Sequence, residues 1–163
     1  MHGQAPSASA FDLRGMFARD AAWAHRYLLE HGSISTQFRF YAPAPDGRLL
    51  TTVLPTPERD IDAFRAFAAT IGATCVSFFA EAWMLRVASD APMPSVFPAS
   101  SDRRIEALLV AVAGHDGLLS SLRRIIRNEA GRAIDLGPDE ADGATMHGWL
   151  REILPARSAR SVH

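Results

Sequence analysis

Residues 74–86, TCVSFFAEAWMLR, decide the fold. Counted by twos, Val76, Phe78, Ala80, Ala82 and Met84 make one wholly apolar face. Cys75, Ser77, Phe79, Glu81, Trp83 and Leu85 make the other, on which an acid stands between two aromatics. Period-two alternation over such a length predicts a central β-strand, and only its first face suits a dry core. Functional side chains are therefore sought on the second face.

Upstream, apolar residues recur every three or four positions over 12–31 (Leu13, Met16, Phe17, Ala21, Ala24, Tyr27, Leu28), and Gly32 follows as a stop. This spacing predicts an amphipathic helix. Residues 33–41 alternate as a strand; after the turn APAPDG a second strand is expected over 48–54, closing a hairpin. Thr56 and Pro57 have the form of a helix start, with Ile61, Phe64, Phe67, Ala68 and Ile71 as the stripe and Gly72 as the stop. Downstream, a proline-bearing excursion over 87–104 precedes an apolar strand over 105–113 and the turn Gly114-His115-Asp116-Gly117. In that turn, aspartate bonding its own backbone and Gly117 accepting positive φ account for both residues without a catalytic His-Asp pair. In 118–128, Leu118, Leu119, Leu122, Ile125 and Ile126 fit a helical stripe, whereas the preceding HDG turn favours a hairpin strand; strand is the reading adopted. A short extended RAIDLGP and a short helix over 144–154 complete the order.

The expected fold is α+β: an antiparallel sheet of about five strands with two amphipathic helices on one face, in the order α-β-β-α-β-β-β-α. That order suits a profilin-like or roadblock-like topology, as an analogy of fold alone. Residues 1–10 read as a loose arm, 11–154 as one domain and 155–163 as a tail.

Composition narrows the function classes. A chain of 163 residues buries roughly 70% of its unfolded surface without metal or disulfide staples. A net charge of −1 with mixed signs supplies no field for nucleic acid. All 17 basic residues are arginine, which excludes Schiff-base, pyridoxal-phosphate and P-loop lysine chemistry. The lone Cys75 forms no internal disulfide and reads as a small buried hydrophobe in a cytoplasmic protein. No His-Glu-x-x-His, Cys-x-x-Cys, Gly-x-Ser-x-Gly or Gly-x-Gly-x-x-Gly spacing occurs, so neither metal nor cofactor is expected. No run of eighteen apolar residues or secretion signal is visible, and no membrane partner is expected.

Glu81-Ala82-Trp83, Asp102-Arg103, the strand over 106–112 and Asp116-Gly117 together resemble a family of uncharacterised bacterial proteins. In that family a strand ending in an acid-Ala-Trp triplet precedes a proline-bearing loop, an Asp-Arg pair and a strand with a DG turn. The resemblance covers the middle third of the chain and departs at Ser101, where a proline usually precedes the aspartate. It implies a hairpin over 105–126 and brings no activity with it.

If the even side of the strands packs on the helices, the opposite face presents Gln37, Arg39, Tyr41, Ser77, Phe79, Glu81 and Trp83, joined by Arg123 and Arg127 in matching register. Burial would raise the pKa of Glu81 and a paired arginine would lower it again, making it a base in waiting or half of an ion pair. Two readings follow. The first is a non-enzymatic module that forms a homodimer through the open face or an edge strand, with Tyr41, Phe79 and Trp83 as anchors. The second is a small enzyme with Glu81 as general acid or base and Arg39 or Arg123 holding an anionic small molecule.

Overall fold

The computed structural model describes residues 12–55, 60–85, 90–92, 95, 100–140 and 148–156. The expected arm at 1–10, the tail beyond 156, the Thr56-Pro57 helix start, much of the proline-bearing excursion and the start of the last helix lie outside those residues.

The first helix, α1 (Leu13–His31), begins where the Asp12 carboxylate accepts the Arg14 N–H and ends at Gly32, whose φ of 83° is left-handed. The hairpin β1 (Gln37–Pro43) and β2 (Leu49–Pro55) follows. The second helix, α2 (Ile61–Ile71), starts later than the hydroxyl-proline signal suggested: Asp60 caps it, accepting the Ala63 N–H at 2.9 Å. Strands β3 (Cys75–Met84), β4 (Ile105–Gly114), β5 (Gly117–Arg127) and β6 (Ala133–Asp139) come next, then a short α3 (Gly148–Glu152).

The strands form one antiparallel sheet in the order β2-β1-β3-β4-β5-β6. The α+β antiparallel class is as expected, with six strands instead of about five, because the extended RAIDLGP pairs with β5. The hairpin implied by the resemblance is the β4–β5 pair.

The helices, however, do not share a face. Phe64 and Ala68 of α2 and Leu150 of α3 pack with Phe38, Phe40, Val76, Phe78 and Leu109. Ala24 and Leu28 of α1 pack on the other side, against Phe79, Leu108, Val110, Ile125 and Leu136. The result is a three-layer sandwich without the expected open face. The physical reason lies in β4: its run ALLVAVA is buried on both sides, the signature of a strand covered twice.

That double cover also explains why 118–128 imitates a helix. In β5, Leu122 faces the α2 side while Ile125 faces α1, with register irregularities at 123/125 and 126/127. Apolar residues are needed on both faces, so strict alternation is lost. The turn between β4 and β5 is the two-residue loop His115-Asp116, but Gly117 does not take positive φ. A Cβ there would meet the Leu13 side chain at 3.5 Å, an ordinary van der Waals contact, so neither a left-handed backbone nor crowding requires glycine at this position. Among the described residues no helix is long and apolar enough to cross a membrane.

Candidate functional site

Three polar clusters lie on the α1 side of the sheet. The first is buried under the helix. Asp20, only 1% exposed, accepts the hydroxyl protons of Tyr41 and Ser77, each at 2.5 Å, on one carboxylate oxygen. Its other oxygen lies 3.4 Å from Arg19 and 4.0 Å from Arg39. The site arises because α1 substitutes an acid into its inward stripe, Met16-Asp20-Ala24-Leu28, directly above the one serine on that side of β3. A buried carboxylate needs such donors, and two short charge-assisted bonds supply them. Burial and the neighbouring carboxylate push the Tyr41 phenol up to about 12. Burial likewise raises the adjacent Cys75 thiol, which leaves it an inert apolar filler.

Arg39 borders this cluster as a stacked cation. Its guanidinium lies 3.5 Å from the centroid of Trp23 and 4.8 Å from that of Phe79, and its Nε is buried without a hydrogen-bond partner. Aromatic faces thus provide what hydrogen bonds do not.

The second cluster contains Glu81. One oxygen accepts the Ile34 N–H at 2.5 Å, and the other lies 3.2 Å from Arg127. Arg127 donates two bonds to Glu106, at 2.6 and 2.7 Å, and also reaches the carbonyls of Gly32 and Gly131. One guanidinium therefore ties the end of α1 to β3, β4 and the β5–β6 turn. Burial raises the Glu81 pKa, while the bonds from Arg127 hold Glu106 below the usual carboxylate range. Both oxygens of Glu81 are engaged, an arrangement that anchors the chain entering β1 to the sheet.

The expected site residues are thus dispersed. Tyr41 and Phe79, 1% and 0% exposed, lie beneath α1 and are corrected from surface anchors to interior groups, because the face that was to display them is covered. Arg39 belongs to the Asp20 cluster, and the arginine that pairs with Glu81 is Arg127. Arg123 gives its Nε and Nη2 to the carbonyls of Gly137 and Leu136 in β6. Trp83 alone remains on the surface, with Arg104 over its ring at 4.5 Å. Sequence reasoning missed Asp20 and Glu106. An acid at a four-residue step within an apolar helix stripe was the available signal for Asp20; Glu106 carried no signal beyond its place before an apolar run.

The third cluster lines a cleft between α1 and strands β4 to β6 and includes His25, Ser121, Arg123 and Asp139. No known protein family matches the chain, and neither a curated protein nor a solved structure matches it.

Proposed function

We propose that the protein is a non-enzymatic, cytoplasmic module that forms a homodimer by pairing the free edge of β2 with the same edge of a second copy. The observation that carries this reading is the contrast between the two sheet edges. The β6 edge holds Asp135, Pro138 and Asp139 and pairs irregularly with β5, all features that discourage strand addition. The β2 edge, LLTTVLP, holds no charge and keeps an uninterrupted register with β1 over seven residue pairs. It also exposes Leu49, Leu50 and Val53, at 38, 57 and 47%. A long, flat, apolar edge is a template for another strand.

An antiparallel pairing about a two-fold axis at Thr52 would continue the sheet across both copies. It would set Leu50 opposite Leu54 of the second copy on one face and Val53 opposite Thr51 on the other. One strand pair is a small interface, so association is expected to be weak and concentration-dependent. The non-enzymatic part of the reading is supported by Glu81, whose oxygens are both engaged by Ile34 and Arg127.

Light scattering over a concentration series tests the proposal. The native chain should approach twice its own mass, and Val53→Lys or Leu50→Lys should hold it at the single-chain mass with an unchanged circular dichroism spectrum. A native chain that stays monomeric throughout, or lysine variants that still dimerise fully, would refute it.

A further inference from the structure

The first helix does not close completely on the sheet. A cleft of about 250 Å³ remains between it and strands β4 to β6. Phe17 and Ala21 of α1, Leu108 and Val110 of β4, and Leu136 of β6 give it apolar walls. Two polar groups that carry no fixed charge border the same recess, the His25 ring from α1 and the Ser121 hydroxyl from β5. Ser121 is 7% exposed, and the Nε2 of His25 is buried with no hydrogen-bond partner among the described residues. A buried ring nitrogen left unpaired is uncommon and costly, so it marks a position that a ligand can satisfy. The two charged side chains at the cleft are already engaged. Arg123 donates to the carbonyls of Gly137 and Leu136, and Asp139 accepts the Leu122 N–H at 3.1 Å. They are opposite in sign and face each other in the β5–β6 register, so their fields largely cancel at an incoming molecule.

We propose that this cleft binds a small, uncharged apolar molecule bearing one hydroxyl group, a phenol or a short alcohol. Its body lies against Leu108, Val110 and Leu136, and its hydroxyl meets His25 Nε2, with Ser121 as a second hydrogen-bonding group. A hydroxyl both donates and accepts, so it completes Nε2 whether or not that nitrogen carries a hydrogen. A carbonyl or an ammonium does so in one case only. An ion would give up its hydration to meet two opposed charges that largely cancel. The volume lies just under the roughly 300–1,000 Å³ of pockets for drug-sized molecules, which limits the occupant to a single ring or a short chain. The inference goes beyond self-association and does not depend on β2, which stands at the opposite end of the sheet from β6.

Titration of the ¹⁵N-labelled chain with p-cresol and with 1-hexanol tests it, with hexanoate and hexylammonium as charged analogues of the alcohol and toluene as the cresol analogue without a hydroxyl. At least one of the two hydroxyl compounds should give saturable shifts centred on the amides of Ala21, Leu108, Val110 and Leu136. Tighter binding of p-cresol assigns the phenol and tighter binding of 1-hexanol the alcohol; either supports the inference. Each charged analogue should bind at least tenfold more weakly than 1-hexanol. Ala21→Leu fills the cleft from the helix side and should abolish the shifts. His25→Leu, whose Nε2 has no bond to lose, should keep the fold and keeps the inference testable if the larger side chain at position 21 displaces the helix. Compared at equal subsaturating concentrations, His25→Leu should weaken p-cresol severalfold and leave toluene unchanged or tighter. The proposal is overturned if neither hydroxyl compound saturates by about 10 mM, ten times a millimolar Kd. It is equally overturned if a charged analogue matches 1-hexanol, or if His25→Leu affects p-cresol and toluene alike.

Discussion

Alkaline titration reads the Asp20 cluster directly. The Tyr41 phenol stands at about 12 in the folded chain, raised first by burial and then by the Asp20 carboxylate it bonds. In the unfolded chain a tyrosine titrates near 10. The folded value is the higher one, so the contribution to stability is complete below about pH 10 and is lost as pH climbs towards 12. Two units correspond to about 2.7 kcal/mol. The chain has no lysine, so no side-chain amine titrates in that window. The buried Cys75 thiol is also raised and adds a loss of the same sign, so the comparison is made in a Cys75→Ala background. Urea unfolding at steps from pH 8 to 11.5 should show the Cys75→Ala protein losing most of that 2.7 kcal/mol. Adding Tyr41→Phe should lower stability at pH 8 by about 1.5–3 kcal/mol, for a bond lost to a charged acceptor, and should flatten the alkaline decline. Tyr27 is present in both proteins and cancels. Parallel decline of the two proteins above pH 10 would refute the placement of Tyr41 against Asp20.

Other outcomes follow from the same geometry. Asp20→Ala strands two buried hydroxyls and the Arg39 guanidinium, and should cost about 3–5 kcal/mol in urea unfolding, with Asp20→Asn intermediate. Glu106, held low by Arg127, contributes stability that is present above the unfolded carboxylate value near 4.3 and is lost as pH falls through its folded value. Thermal melts from pH 7 to 3 should therefore show Glu106→Gln less stable at pH 7 but with a shallower acid decline. Glu81 has the opposite sign: burial raises it, so its contribution is present below the unfolded value and is lost as pH rises through the folded one. Glu81→Gln should accordingly cost less at pH 7 than Glu106→Gln. Trp83→Ala should change stability by under about 1 kcal/mol and leave the oligomer unchanged, because that ring is 43% exposed and remote in register from β2.

The strands and helices were legible because their punctuation is local. Asp12 and Gly32 bracket α1, Gly72 ends α2, and Asp46-Gly47 turns the first hairpin. Alternation in 74–86 located β3 and sorted its two faces correctly. What those faces meet was not legible. A face bearing Ser77 and Glu81 reads as solvent-facing, yet a helix can cover it when the helix brings its own acid to the serine and an arginine from β5 reaches the glutamate. Both partners are distant in sequence, Asp20 by 57 residues from Ser77 and Arg127 by 46 from Glu81. No periodicity within one element encodes that meeting. The same hidden cover removed Tyr41 and Phe79 from the surface, while β2, an ordinary apolar strand in sequence, stands at one edge of the sheet.

Backbone amide exchange along β2 at two protein concentrations tests the central claim most directly. Pairing with a second copy predicts that outward amides within residues 49–55 gain protection at high concentration and lose it on dilution, while β6 amides do not change. Exchange along β2 that is fast and independent of concentration would contradict the account.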